Sequence, residues 1–209
     1  MRVAELWRYP VKSLRGERLA RVEILRDGLL GDRLTRVLGP GGERMTARTA
    51  PELLGLDATL APDGAPLVEG APWDGPQALA SVRAVAGAGA TLAAAGRHFD
   101  AAPVLVVTDG GLAALGEDRR RFRPNVVVAG VEGLAEREWV GRRLRVGGAE
   151  LLVRERCERC LVTTIDPDSR EIRPDVLRRI NSELEGTMGV YCEVALAGPV
   201  AEGDPGNGP

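Results

Sequence analysis

The feature that most narrows the fold is a succession of short segments in which apolar and polar residues alternate, each closed by a turn. In residues 2–9, Val3, Glu5, Trp7 and Tyr9 alternate with Ala4, Leu6 and Arg8; in residues 19–25, Val22 and Ile24 alternate with Arg21 and Glu23. A period of two is that of a strand with one buried face, so both segments read as strands joined by the loop YPVKSLRGE. Gly28 and Gly31 flank a further turn before a third expected strand at 33–38, which starts at Arg33 and ends in GPGGE.

Further along, residues 59–97 are rich in Ala, Gly and Pro and read as short strands and loops without an assignable register. The apolar run 103–107 suits a buried strand, Thr108 can cap a helix over 109–117, and a strand at 125–129 follows. Residues 132–139 read as a helix, and 142–153 as a hairpin around Gly147 and Gly148 with Leu144 and Val146 facing Leu151 and Val153. The β-branched residues at 161–165 predict a strand stopped by the turn DPDS, and a helix at 175–184 and a strand at 189–197 close the chain. Many short strands with a few isolated helices predict an α+β, mainly β fold of barrel type. No repeat or linker divides the sequence, which predicts one compact unit.

Composition excludes several roles. An apolar fraction of 44%, a charged fraction of 28% and a net charge of −2 are those of a globular protein with no general pull toward nucleic acid. There is neither an 18-residue apolar run nor a secretory pattern at the start, which predicts a cytoplasmic protein without membrane association. Three cysteines are an odd number and make no disulfide framework. Arginine outnumbers lysine 27 to one. The single lysine, Lys12, therefore marks a position where a compact ammonium does what a planar guanidinium cannot.

Chemistry-bearing residues gather in three places. Lys12, Ser13 and Arg33 offer a point charge, a hydroxyl and a guanidinium fork, the donors a phosphate monoester needs. In the run RRRFR, residues 119–121 read as a solvated face, while Arg123 beside Pro124 turns inward; with Asn125 it offers an anion contact and an amide for a heterocycle. Cys157-x-x-Cys160 suits a zinc half-site, a redox pair or a single metal thiolate beside a bystander. Only Cys192 and His98 could complete a zinc site, and a strand after Cys160 would not supply the helix N-terminus that redox pairs use. Arg159 could offset the charge of an anionic cofactor. His98 reads as structural, and Asp166 as the first residue of a turn.

Taken in order, YPVKS, GDR at 31–33, MTAR at 45–48, RFRPNVVV at 121–128 and CERCLVTTIDPDS at 157–169 resemble the MOSC domain family, which includes the mitochondrial amidoxime reducing component and the molybdenum cofactor sulfurase C-terminal domain. The resemblance runs from the first strand to Gly203 and Asp204. It implies a MOSC-type β-barrel, with residues 1–96 as its N-terminal β-barrel part and 97–205 as the core.

The same resemblance implies molybdenum cofactor (molybdopterin) binding, with Cys160 as the metal ligand. Lys12, Ser13 and Arg33 would take the pterin phosphate, and Arg123, Asn125, Arg159, Thr108 and Tyr191 would hold the pterin. Many relatives carry a serine where this chain has Gly111. The implied activity is reduction of N-hydroxylated small molecules such as amidoximes or hydroxylamines, with Asp166 as a proton relay if it faces inward. The chain contains no iron–sulfur cysteine cluster, so electrons would come from a separate donor protein, ferredoxin-like or a flavin/iron–sulfur reductase. Because the family also includes domains attached to pyridoxal-phosphate-dependent sulfur-transferring enzymes, a non-catalytic cofactor carrier or sulfuration partner is the other implied role.

Overall fold

The computed structural model describes residues 1–94 and 98–208. Its main element is a curled eight-stranded sheet whose long central pair is Ala149–Glu158 against Thr187–Leu196, antiparallel. Val104–Thr108 follows in the sheet, then Val126–Ala129, Arg2–Arg8 and Glu17–Leu19; Arg143–Val146 and Gly206–Asn207 complete the other edge. The fold is mainly β, as expected.

Alternation explains how this sheet is covered on both faces. In the run Val104–Thr108, Val104 and Val106 join the cluster of Val3, Leu6, Val128 and Leu151, while Leu105 and Val107 join Phe122, Val176, Ile180 and Met188 beneath the helix Pro174–Glu183. A strand buried on both faces reads as an unbroken apolar run. Val104–Thr108 and Val126–Ala129 lie parallel, a pairing that requires a crossover, and the helix Asp109–Leu115 supplies it. Thr108 caps that helix as expected: its hydroxyl accepts from Gly111 N at 3.0 Å, and Gly116 ends the helix in the left-handed region at φ 66.

A second core, with Val11, Leu14, Val37, Leu53, Val68 and Val82 among its members, sits under the small sheets of the first half of the chain. Here the reading of residues 59–97 as short strands and loops missed a helix. Pro76–Ala86 is helical, with Pro76 in its first turn and Ala78 and Val82, one turn apart, facing the core. Residues 95–97 of that segment lie outside the described residues.

Two further expectations are corrected. The expected strand at 161–165 is a 3-10 turn, Leu161–Thr164, because Thr163 Oγ1 donates to the Cys160 carbonyl at 2.8 Å and Thr164 Oγ1 to the Leu161 carbonyl at 2.7 Å. Residues 132–139 hold only the 3-10 helix Ala135–Trp139. Among the described residues no helix is long and apolar enough to cross a membrane.

Candidate functional site

The loops 9–15 and 31–35 are laced together before any ligand is considered. Tyr9 N donates to Asp32 Oδ1 at 2.8 Å, Arg33 N to the Tyr9 carbonyl at 2.7 Å, and Lys12 N to the Thr35 carbonyl at 2.8 Å. This lacing holds Ser13 at φ 72 and Arg33 at φ 51, both in the left-handed region that side chains other than glycine rarely adopt. Arg123, across the cleft, is also left-handed at φ 52. Backbone strain of this kind concentrates at binding and catalytic sites.

These three residues line a cleft of about 220 Å³, together with Lys12, Asn125, Arg159, Cys160 and Tyr191. One end is cationic. Tyr9 is buried beneath it, its hydroxyl donating to the Pro124 carbonyl at 3.1 Å, and its ring carries Arg123 at 4.2 Å and Arg33 at 5.1 Å from the centroid. Burial pushes the Arg123 guanidinium down to about 10. Burial also pulls Arg33 down, but the adjacent Asp32 carboxylate outweighs it and leaves Arg33 raised. Asn125 accepts from Leu105 N at 3.1 Å and from Arg33 Nη1 at 3.3 Å and donates to the Trp7 carbonyl, so its amide positions Arg33 and stitches strands together.

Cys160 lies at the other end, half-buried, at the start of the 3-10 turn. Arg48 stands beside its sulfur, which raises the Arg48 guanidinium above its ordinary value. Cys157 is buried on the preceding strand, where its Sγ accepts from Arg159 Nη1 at 2.7 Å. Arg159 Nη2 donates to the Phe122 carbonyl at 2.6 Å, and burial, then the neighbouring Cys157, pushes the Tyr191 phenol up. The two cysteines are thus separated by environment, and all three in the chain are free thiols.

Two expected site residues lie outside the cleft. Thr108 is fully buried, its hydroxyl occupied by Gly111 N and by the Glu136 carboxylate at 2.9 Å. Asp166 caps the DPDS turn by accepting from Asp168 N and Ser169 N, and it pairs with Arg121 at 2.7 Å. Arg121 itself is a correction. Rather than facing solvent it is 4% exposed, held by Glu117, Asp166 and the Thr164 carbonyl. Arg48, Phe99 and Asp100 also line the cleft, and of the three only Arg48 falls within one of the sequence motifs, MTAR.

Comparison with known proteins agrees with this architecture. The MOSC domain profile matches residues 99–206, and the MOSC N-terminal beta barrel domain profile matches residues 1–102. The chain belongs to the MOSC domain family. Among curated MOSC relatives, mitochondrial amidoxime reducing component 2 of Macaca fascicularis is 28% identical, covering 97% of this chain and 82% of its own length. The Homo sapiens protein of that name is 27% identical with the same coverage. Among solved structures, the YUAD protein from Bacillus subtilis aligns over 98% of this chain and 92% of its own, with a TM-score of 0.48 and 16% identity.

Proposed function

We propose that this MOSC protein binds a molybdenum cofactor and reduces N-hydroxylated compounds, amidoximes or hydroxylamines, with electrons from a separate ferredoxin-like or flavin/iron–sulfur donor in the cytoplasm. The observation that carries the reading is one cleft with a soft thiol at one end and clustered cations at the other. A thiolate suits a soft metal, and the cations suit an anionic group tethered to it. The donor set fits such a ligand, because Arg123 Nη2 and Arg159 Nε are buried without a hydrogen-bond partner among the described residues. Buried donors left unpaired are costly, so a ligand that supplies acceptors is favoured there.

In this reading Cys160 ligates the metal and Arg48 offsets the thiolate charge. Lys12, Ser13 and Arg33 hold the phosphate, while Arg123 and Arg159 reach the pterin and Asn125 keeps Arg33 in place. When bound, the cofactor would supply the two electrons that, with two protons, reduce an N–OH group to the amine or amidine and water. The protein contributes positioning and electrostatics.

The test is molybdenum and pterin content in chain produced with molybdate, wild type against Cys160→Ala and Lys12→Ala, with turnover of a hydroxylamine by an artificial reductant as the second readout. Near-stoichiometric molybdenum that falls in both variants, with turnover in the wild type, is expected. Zinc in place of molybdenum, or molybdenum indifferent to Cys160, overturns the assigned site; full loading without turnover overturns the enzymatic part.

A further inference from the structure

The cationic end of the cleft already contains an anion. Asp100 Oδ1 lies 2.7 Å from Lys12 Nζ, and Asp100 lines the cleft alongside Arg33, Arg48 and Arg123. The partners differ in freedom: the Lys12 side chain is 12% exposed and that of Asp100 is 60% exposed. Lys12 is therefore fixed, whereas Asp100, on the irregular run just before the strand Val104–Thr108, has open solvent into which it can turn. Burial pushes the Asp100 carboxyl up, but the hydrogen bond from Lys12 and the charges of Lys12, Arg33 and Arg48 outweigh it, so the group stays ionised at neutral pH.

An incoming anion must take Lys12 from this carboxylate. A monoanion would replace one single charge by another and gain little. A phosphate monoester dianion brings a second charge and three acceptor oxygens to the Lys12, Ser13 and Arg33 donors, and it wins the exchange.

We propose that Asp100 is the specificity-determining residue at this end of the cleft: it holds Lys12 in the ligand-free protein and yields only to a dianionic phosphate group, excluding carboxylate and sulfonate monoanions. The inference rests on the anion-binding reading of the cleft given above.

The composition of the chain supplies a direct probe. Because Lys12 is the only lysine, labelling with [15N]lysine places one side-chain ammonium signal in the full-length protein. Produced without cofactor and held above the second phosphate ionisation of ~6, the protein would be titrated with methyl phosphate and, separately, with methanesulfonate.

In the wild type, methyl phosphate should move the Lys12 signal and methanesulfonate should not. In Asp100→Asn and Asp100→Ala both ligands should move it, methyl phosphate at about one-fifth of the wild-type concentration, the scale expected for loss of one largely exposed ion pair. Equal phosphate affinity in wild type and both variants, or methanesulfonate binding to the wild type as well as methyl phosphate does, overturns the role of Asp100 and leaves the phosphate site standing. No response of Lys12 to methyl phosphate in any of the three proteins overturns the phosphate site, and this inference with it.

Discussion

At the cationic end of the cleft the backbone turns into the left-handed region at Ser13 and Arg33, and hydrogen bonds between two loops hold it there. At the thiol end, Cys157 sits on the ten-residue strand Ala149–Glu158, paired along its length with Thr187–Leu196, and Cys160 begins a turn braced by its own threonines. One end is loop under local strain, the other an extension of the sheet. The difference teaches that the thiol end takes its geometry from the core, whereas the cationic end depends on local contacts that a single residue can alter. Substitutions of the residues that brace the thiol end, as distinct from Cys160 itself, should therefore read out mainly as stability, and those at the cationic end mainly as ligand affinity.

The largest effect is expected from Arg121→Ala. Its side chain is 2% exposed and joins Glu117, itself 8% exposed, to Asp166 beneath the thiol end. Removing one partner of a buried ion pair leaves the other uncompensated and costs ~3–5 kcal/mol. Glu117 keeps Arg173 and Arg179 within reach, so the lower figure applies. About 3 kcal/mol corresponds to a fall of roughly 6–12 °C in Tm for a chain of this size. Thermal unfolding followed by circular dichroism checks it, and a fall below about 2 °C would mean that this cluster does not brace the thiol end.

The contrast between the cysteines gives the next effect. Cys157 is 1% exposed and bonded to Arg159, Cys192 is fully buried with its thiol pushed up by burial, and Cys160 is half-buried at the cleft. Alkylation follows thiolate availability and access. In the folded protein one thiol, assigned to Cys160 by peptide mass, should react about 100-fold faster than the other two. Comparable labelling of Cys157 under native conditions would break the distinction between ligand and bystander within the motif.

How much of this was readable in the sequence depends on the range over which each feature is decided. The strand Arg2–Arg8, the hairpin around Gly147 and the capped helix after Thr108 are fixed by neighbours in sequence and were legible as elements. A bulge between Val3 and Glu5, however, breaks the expected alternation and brings Val3 and Leu6 to one core, and Val146 pairs with Ala149 rather than Val153. Val162, Thr163 and Thr164 misled because β-branching was read as strand, whereas the threonine hydroxyls bond back to carbonyls three residues earlier and wind the chain into a turn. The helix Pro76–Ala86 escaped because small and apolar residues, with alanine at four of its eleven positions, surround the axis and leave little polar contrast. At the site, Lys12 stood out by rarity and the pair Cys157 and Cys160 by its spacing, while the choice of Cys160 within the pair came from the family resemblance. Asp100 did not, because its meaning comes from Lys12, 88 residues away, and Arg121 looked like surface until its acidic partners were brought over it.

The smallest effect tests the cationic end most directly. Ser13 holds φ 72 with only 7% of its surface exposed, and its hydroxyl has no protein partner among the described residues. Glycine occupies that backbone region freely, so Ser13→Gly removes a strain of about 1 kcal/mol, while the added freedom of the unfolded chain returns roughly 0.5–1 kcal/mol. Net stability should stay within about 0.5 kcal/mol of wild type by urea unfolding. Methyl phosphate affinity, by contrast, should fall about fivefold with the loss of one hydrogen bond worth ~1 kcal/mol. A stability loss above about 1 kcal/mol with affinity unchanged would make Ser13 a structural residue and erase the contrast between the two ends. Unchanged stability with weakened binding would mean that the Ser13 hydroxyl serves the ligand and not the fold.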